Sequence, residues 1–384
     1  MNTADHCANH SVTEESAGLD LQATLALMEG AYAPNTIRAI RADVGRWLAH
    51  CQSQGVGFHA ASSHHLAGFI DSLTESQALR ASTIRRIVSS VACCYRLQGL
   101  ADLTKTPLSH LALRRMNRTL GRKMRQAKPI DNHLLERLLA ACPGEDLMAL
   151  RNRLLLLVGH DTLLRRAELV SLQIEDVQMK ADLCGARILL RRSKTDQDAL
   201  GRWLPLSERT TKTLATYLDC VTLEVSRLLR APSTKLQGAL FASLPLSRLS
   251  HIGHHNRSST ASAEEVNFKI KGLHDCRVPR IIRALARKAG LSGEQIKGLS
   301  GHSLRVGAAQ ELARAGEGMP MLMTRGGWTK PDTVLRYIEH TPLEVRQGSS
   351  QPDSVTDHSP APASPLTGQT QSPPSAPRIP PTSS

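Results

Sequence analysis

The sequence predicts a mainly α protein: an all-helical N-terminal domain, then a mixed α+β, mostly helical domain carrying a small antiparallel β-hairpin or sheet. Three observations predict it. Apolar residues recur at the helical period through most of 21–348, the period shortens to two only around 186–206, and a run of bases without an acid separates two such stretches. The 384 residues are 41% hydrophobic, and at about 150 residues per domain they suit two domains with extensions.

Residues 1–20 hold four acids and no base and read as a disordered arm. After Pro34-Asn35-Thr36, the positions Ile37, Ile40, Val44, Trp47, Leu48 and Cys51 form one helical stripe. Residues 66–75 read as a second helix. Ser82-Thr83 opens a third, with Ile84, Ile87, Val88, Val91 and Tyr95 inside and Arg85 and Arg86 outside. Together these make a helical domain over 21–113. The basic run is Arg114, Arg115, Arg118, Arg122, Lys123, Arg125 and Lys128, closed by Pro129, and it reads as a linker over 114–130 that straps across a phosphate backbone.

The second domain, 131–348, opens with helices at 131–142 and 147–160. Ala186–Arg191 and Arg202–Leu206 are strand-like and joined by a polar tip that contains Lys194. Helices return at 208–230, 277–289, 302–315 and 332–339, while the Ser-, His- and Gly-rich stretch 231–265 reads as loop. From Ser349 to the end lie nine of the 20 prolines, so 349–384 is expected to be a disordered tail.

Composition narrows the function. The formal net charge is +14, and 36 of the 48 basic residues are arginine, whose planar fork matches phosphate oxygens. A polyanionic partner, most simply nucleic acid, is expected. The longest apolar run, Leu154–Val158, is far short of the roughly 20 residues a membrane span needs. The opening residues show no export signal, and the eight cysteines contain no C-x-x-C pair, so a cytoplasmic protein with reduced thiols and no membrane association is expected. Phosphate-loop and dinucleotide glycine patterns are missing. His251-Ile-Gly-His254-His255 has no acid or cysteine at ligand spacing and reads as loop, so neither metal nor cofactor is expected.

The chemistry lies in an ordered set within the second domain. Arg165 sits in Thr162-Leu-Leu-Arg165-Arg-Ala-Glu168, and Lys194 at the hairpin tip. His302 and Arg305 are three apart in Gly301-His-Ser-Leu-Arg305-Val-Gly-Ala-Ala, on one helical face. Trp328 follows Gly326-Gly327, and Tyr337 lies on the last short helix. Taken singly these are weak signals, since His274-Asp-Cys-Arg277 is a second H-x-x-R. Their order is informative. It resembles the tyrosine recombinase, or phage integrase, family over about 21–345, most strongly over 150–340.

The resemblance implies a core-binding DNA domain followed by a catalytic domain. It assigns Arg165 and Arg305 as catalytic arginines, Lys194 as the hairpin lysine, His302 as the catalytic histidine, Trp328 at the His/Trp position and Tyr337 as nucleophile. Glu168 would hold Arg165. Those roles suit the physics. Two guanidiniums and an imidazole offset charge on the non-bridging oxygens of a phosphodiester. A phenol with a pKa near 10 is only about one part in a thousand ionised at pH 7, so it needs such cations nearby. Among the four tyrosines, Tyr95 falls on an apolar stripe, Tyr32 precedes the first predicted helix and Tyr217 has no cationic neighbour in the set.

By the same resemblance, the expected partners are double-stranded DNA, further copies of the chain forming dimers and tetramers on DNA, and accessory proteins. The helical domain, the linker and the arginine-rich stretch Arg277, Arg280, Arg283, Arg287 and Lys288 would clamp a duplex, with Arg85 and Arg86 reading base edges. Two departures stand out. Residues 231–275 are longer and more polar than the pattern, and only Ile338 to about Gln347 remain for a C-terminal exchange helix. A type IB topoisomerase-like enzyme and a catalytically silent DNA-binding protein are the alternatives.

Overall fold

The computed structural model describes residues 21–121, 126–193, 200–230, 234–246 and 266–339. The expected N-terminal arm and C-terminal tail, Lys194, the linker bases Arg122, Lys123 and Arg125, and the triplet His251, His254 and His255 lie outside the described residues.

The first half is helical: α1 (Leu21–Ala26), α2 (Pro34–Ser53), α3 (Ser63–Glu75), α4 (Ala81–Leu97) and α5 (Pro107–Leu120). Their apolar faces close one core around Trp47, Ile70, Ile84, Val91, Tyr95 and Met116. The helix α5 corrects the sequence reading. Its start has a Thr106 cap followed by Pro107 at the first position, and Leu108, Ala112 and Met116 recur every four residues. Arg114, Arg115 and Arg118, expected in an extended strap, are therefore helical. The charge run hid the apolar stripe beneath it.

The linker does not hang free either. The N–H of Lys128 donates to Gly298 O at 3.0 Å, and that of Ile130 to Ser303 O at 3.0 Å. Lys128 Nζ, an expected phosphate contact, donates to the backbone oxygen of Glu294, a helical residue of the second half, at 2.8 Å.

The second half comprises α6 (Asn132–Ala140), α7 (Leu147–Thr162), α8 (Arg166–Ser171), β1 (Val177–Met179), β2 (Ala186–Leu190), β3 (Arg202–Leu206), α9 (Glu208–Leu229), β4 (Thr234–Gly238), β5 (Val266–Ile270), α10 (Val278–Lys288), α11 (Gly293–Lys297), α12 (Ser303–Arg314), α13 (Met319–Gly326) and α14 (Pro331–Ile338). Among the described residues, β2 and β3 form the expected hairpin, with Leu190 opposite Arg202, and β1 adds a third antiparallel strand. The stretch expected to be loop contains β4, which pairs in parallel with β5. A long connection separates those strands, so no local hairpin pattern announces them.

A large core joins α7, α9, α10 and the three-stranded sheet through Leu154, Leu155, Leu190, Leu204, Tyr217 and Ile282. A smaller cluster of Leu163, Ala308, Ala309, Leu322, Trp328 and Val334 carries the last three helices. Gly307 shows how tightly the linker crosses α12: a Cβ there would lie 1.8 Å from Ile130 O. That neighbour is backbone and cannot swing aside. Gly307→Ala is expected to destabilise the protein by about 2 kcal/mol or more, as overpacking does, measured by urea unfolding. A change below 0.5 kcal/mol would mean that the crossing is looser than described.

Candidate active site

Four separate segments supply the site. The first follows α7, where Leu163 takes a left-handed conformation (φ 53°), unusual for a branched residue, and turns the chain into α8. Glu168, at the third position of α8, accepts the Arg165 N–H at 3.0 Å on one oxygen and the Arg165 guanidinium at 2.7 Å on the other. A buried acid at a helix N-terminus is favoured by the dipole, and here it also fixes the arginine. The role expected for Glu168, holding Arg165, matches this geometry.

The second segment is α12. His302 precedes its first turn, and Arg305 lies in it, wholly buried. Arg305 Nη1 donates to the carbonyl of Leu163, and Nη2 donates to Gly326 O at 2.7 Å. Burial pulls its pKa down to about 10, while Tyr337 and Glu168 act in the opposite direction. The guanidinium thus stays charged at pH 7.

The third segment is the turn after α13. Gly327 closes the helix in the left-handed region (φ 61°), and the Trp328 N–H donates to Met323 O at 3.0 Å. A Cβ on Gly326 would lie 2.1 Å from the indole, so the ring folds directly over that glycine. The pair Gly326-Gly327 thereby seats Trp328. The Arg305 guanidinium carbon stands 4.3 Å from the Trp328 ring centre and 5.5 Å from that of Tyr337, and the two rings are 4.9 Å apart. The cation therefore lies against two aromatic rings, an arrangement in which each ring quadrupole attracts it.

The fourth segment is α14, which carries Tyr337. Its last carbonyls would be orphaned, but Gln310 Nε2 donates to Tyr337 O at 3.1 Å. Gln126 Nε2 reaches from the linker to Arg336 O at 2.9 Å and Tyr337 O at 3.1 Å. Neither amide was visible in the sequence as a functional residue, because each acts on backbone and belongs to no side-chain motif.

Electrostatics tie the segments together. Burial, then the charges of Arg305, Arg165 and Arg166, hold the His302 imidazole below its ordinary pKa, with Glu168 pulling weakly the other way. His302 is therefore neutral at pH 7. The three other tyrosines are differently placed. Tyr95 donates to Phe58 O at 2.6 Å and Tyr217 accepts the Ala242 N–H at 3.0 Å, and burial pushes both up to about 12. Tyr32 is exposed and sits beside Cys93. The second H-x-x-R motif is a brace: His274 and Asp275 contact each other at 3.1 Å, and Asp275 takes Arg166 at 3.1 Å.

The structure thus brings Arg165, Glu168, His302, Arg305, Trp328 and Tyr337 together. Lys194, expected at the tip, lies outside the described residues. Of the expected DNA contacts, Arg277, Arg280, Arg287 and Lys288 are exposed, at the start of α10 and along it, while the buried positions are Val278, Ile282, Leu285 and Ala286. Several others have internal partners. Arg86 pairs with fully buried Asp43 at 2.5 Å, Arg85 donates to Asn117 at 3.2 Å, Arg115 pairs with Asp71, and Arg283 donates to Leu299 O at 3.0 Å. Each has a fold-holding task that charge alone did not reveal.

The chain belongs to the phage integrase family: residues 128–344 match that family, and residues 24–97 match its N-terminal SAM-like domain. Among curated relatives it is 24% identical over 321 residues to the recombinase cre of Escherichia phage P1, covering 82% of this chain and 87% of that one. It is 26% identical over 335 residues to an integrase/recombinase XerD homolog of Selenomonas ruminantium, covering 85% and 87%. Among solved structures, the XerH site-specific recombinase bound to palindromic difH substrate in a post-cleavage complex aligns with a TM-score of 0.55 at 16% identity, over 80% of this chain and 76% of that one. A lambda integrase dimer bound to a COC' core site aligns at 0.51 and 13%, over 84% and 77%.

Proposed function

We propose a residue-level mechanism for this chain, a tyrosine-type site-specific DNA recombinase. The observation that carries it is the contact of a wholly buried guanidinium, Arg305, with the ring of Tyr337, within the electrostatic reach of Arg165 and the His302 imidazole. Arg165 and Arg305 bind the non-bridging oxygens of one scissile phosphate, and the Trp328 indole, whose N–H has no partner among the described residues, supplies a further donor. The Tyr337 Oη attacks phosphorus and its proton passes to His302, directly or through water. The bond from phosphorus to the 5′-oxygen breaks, and Lys194 protonates the departing oxygen. The product is a 3′-phosphotyrosyl linkage and a free 5′-hydroxyl. Because the linkage retains the phosphoester, the 5′-hydroxyl of a partner strand reverses the step without an external energy source.

Double-stranded DNA is held by the helical domain (21–113), the linker (114–130) and the catalytic domain (131–348), with exposed Arg277, Arg280, Arg287 and Lys288 on phosphates. Two duplexes are exchanged within a tetramer assembled from dimers, with accessory proteins as further partners. Relaxation without strand exchange, and silent DNA binding, are less favoured: the relatives are named recombinases and the site retains its nucleophile. The described helices are none of them long and apolar enough to cross a membrane. The test is incubation with fragmented genomic DNA, denaturing capture of the covalent adduct and sequencing of the attached DNA. Fragments sharing one roughly palindromic site are expected. No adduct, or adducts at random sequence, would refute a site-specific reaction.

The neutral histidine gives a pH prediction. A base whose pKa lies below 6.5 keeps accepting protons as the medium becomes more acid, so the acid limb of kcat/KM for cleavage is expected below pH 6.5. His302→Asn should lower the plateau and remove that limb. A wild-type limb above 6.5 would contradict a neutral imidazole.

A further inference from the structure

Arg202 is the first residue of β3, immediately after the hairpin tip that contains Lys194, and no motif marks it. Its Nη1 donates to Thr324 O at 2.7 Å and to Arg325 O at 3.0 Å, and Arg305 takes the next carbonyl, Gly326 O, at 2.7 Å. Two guanidiniums therefore occupy three successive carbonyls at the negative end of α13, where cations are favoured. The guanidinium also lies flat against the turn. A Cβ on Gly327 would stand 3.0 Å from Arg202 Cζ and 3.1 Å from its Nη2. Burial lowers the Arg202 pKa, and the charges of Glu168 and Arg165 both act on it, which places it beside the catalytic cluster.

We propose that Arg202 is a positioning residue for strand cleavage: from the hairpin side it locks the α13 terminus and the Gly326–Trp328 turn, so that Arg305 and Trp328 keep their places around the phosphate. It need not touch DNA. The contact runs from strand β3 to the α13 terminus, and Arg305 shares that terminus, so loss of Arg202 displaces the turn that seats both Trp328 and the Arg305 Nη2 contact. A lysine ammonium could donate to the same two carbonyls, which one Arg202 nitrogen holds, but it lacks the planar guanidinium that packs against Gly327; glutamine, uncharged and shorter, replaces neither.

The inference rests on Tyr337 being the nucleophile, and the test separates the two. The full-length protein is assayed on a nicked duplex carrying the site recovered by covalent capture, with adduct formation followed under single turnover. Arg202→Gln is expected to lower the maximal rate about 100-fold, the scale of a displacement near 1 Å, with half-saturation by DNA close to wild type and a melting temperature lower by only about 2–4 °C, since water reaches the Thr324 and Arg325 carbonyls that it frees. Arg202→Lys should recover part of the rate, and Gly327→Ala, which crowds the same guanidinium, should lose rate in the same way. The same duplex with a bridging 5′-sulfur at the scissile phosphate removes the need to protonate the leaving group. Lys194→Ala should then be rescued, whereas Arg202→Gln should not. Rescue of Arg202→Gln by sulfur would overturn the proposal, since Arg202 would then serve only the Lys194 hairpin. A rate within threefold of wild type would also overturn it. Absence of adduct with the wild-type protein would instead refute the nucleophile assignment on which the inference rests.

Discussion

Tyr337→Phe is expected to abolish the covalent protein–DNA adduct while leaving DNA affinity within about twofold of wild type, the largest catalytic effect of any single substitution here. The change removes one oxygen from a half-buried ring that stays packed on Trp328 at 4.9 Å between centres, so folding is preserved. Its backbone carbonyl keeps the amides of Gln310 and Gln126, and α14 keeps its place. None of the other tyrosines can substitute. Tyr95 and Tyr217 are buried hydrogen-bond partners with pKa values pushed up to about 12, and Tyr32 lies in the helical domain beside Cys93. Adduct persisting in Tyr337→Phe on nicked duplex would move the nucleophile elsewhere.

The second large effect falls on Arg305, where catalysis and stability are joined. Arg305→Ala leaves the carbonyls of Leu163 and Gly326 buried without their donors, at roughly 1–3 kcal/mol each, and opens a void under Trp328 and Tyr337. Unfolding free energy should fall by about 3 kcal/mol, and cleavage by about a thousandfold or more, as expected when a major donor to the transition-state charge is removed. Arg305→Lys separates the two effects. It retains a charge and one carbonyl bond, so most of the stability should return, yet without the planar fork cleavage should stay at least about 100-fold down. A lysine variant that cleaves within tenfold of wild type would show that Arg305 is chiefly structural.

The residues proposed to meet the substrate through their side chains were legible in the sequence. Arg165, His302, Arg305, Trp328 and Tyr337 have residue types that few folds place in this order, and the structure seats them around one point. The supporting residues were not legible. Arg202, Gln126 and Gln310 act on the carbonyls at the ends of α13 and α14, and backbone acceptors carry no residue identity that a motif could display. The helix α5 was obscured because exposed Arg114, Arg115 and Arg118 interrupt the apolar positions Ala112 and Met116 that bury it. The parallel pairing of β4 with β5 depends on chain segments far apart in sequence, which local periodicity does not encode. Charge counting also did not reveal that Arg86, Arg115 and Lys128 have partners within the fold.

The proposed mechanism requires that one phenol take up one phosphate among these converged cations. The adduct captured from DNA can be digested with nuclease and protease and its nucleotide-bearing peptide sequenced by mass spectrometry. A single modified residue is expected, Tyr337 joined to a 3′-phosphate, with a 5′-hydroxyl on the released strand. A nucleotide on another residue, or a 5′-phosphate linkage, would contradict it.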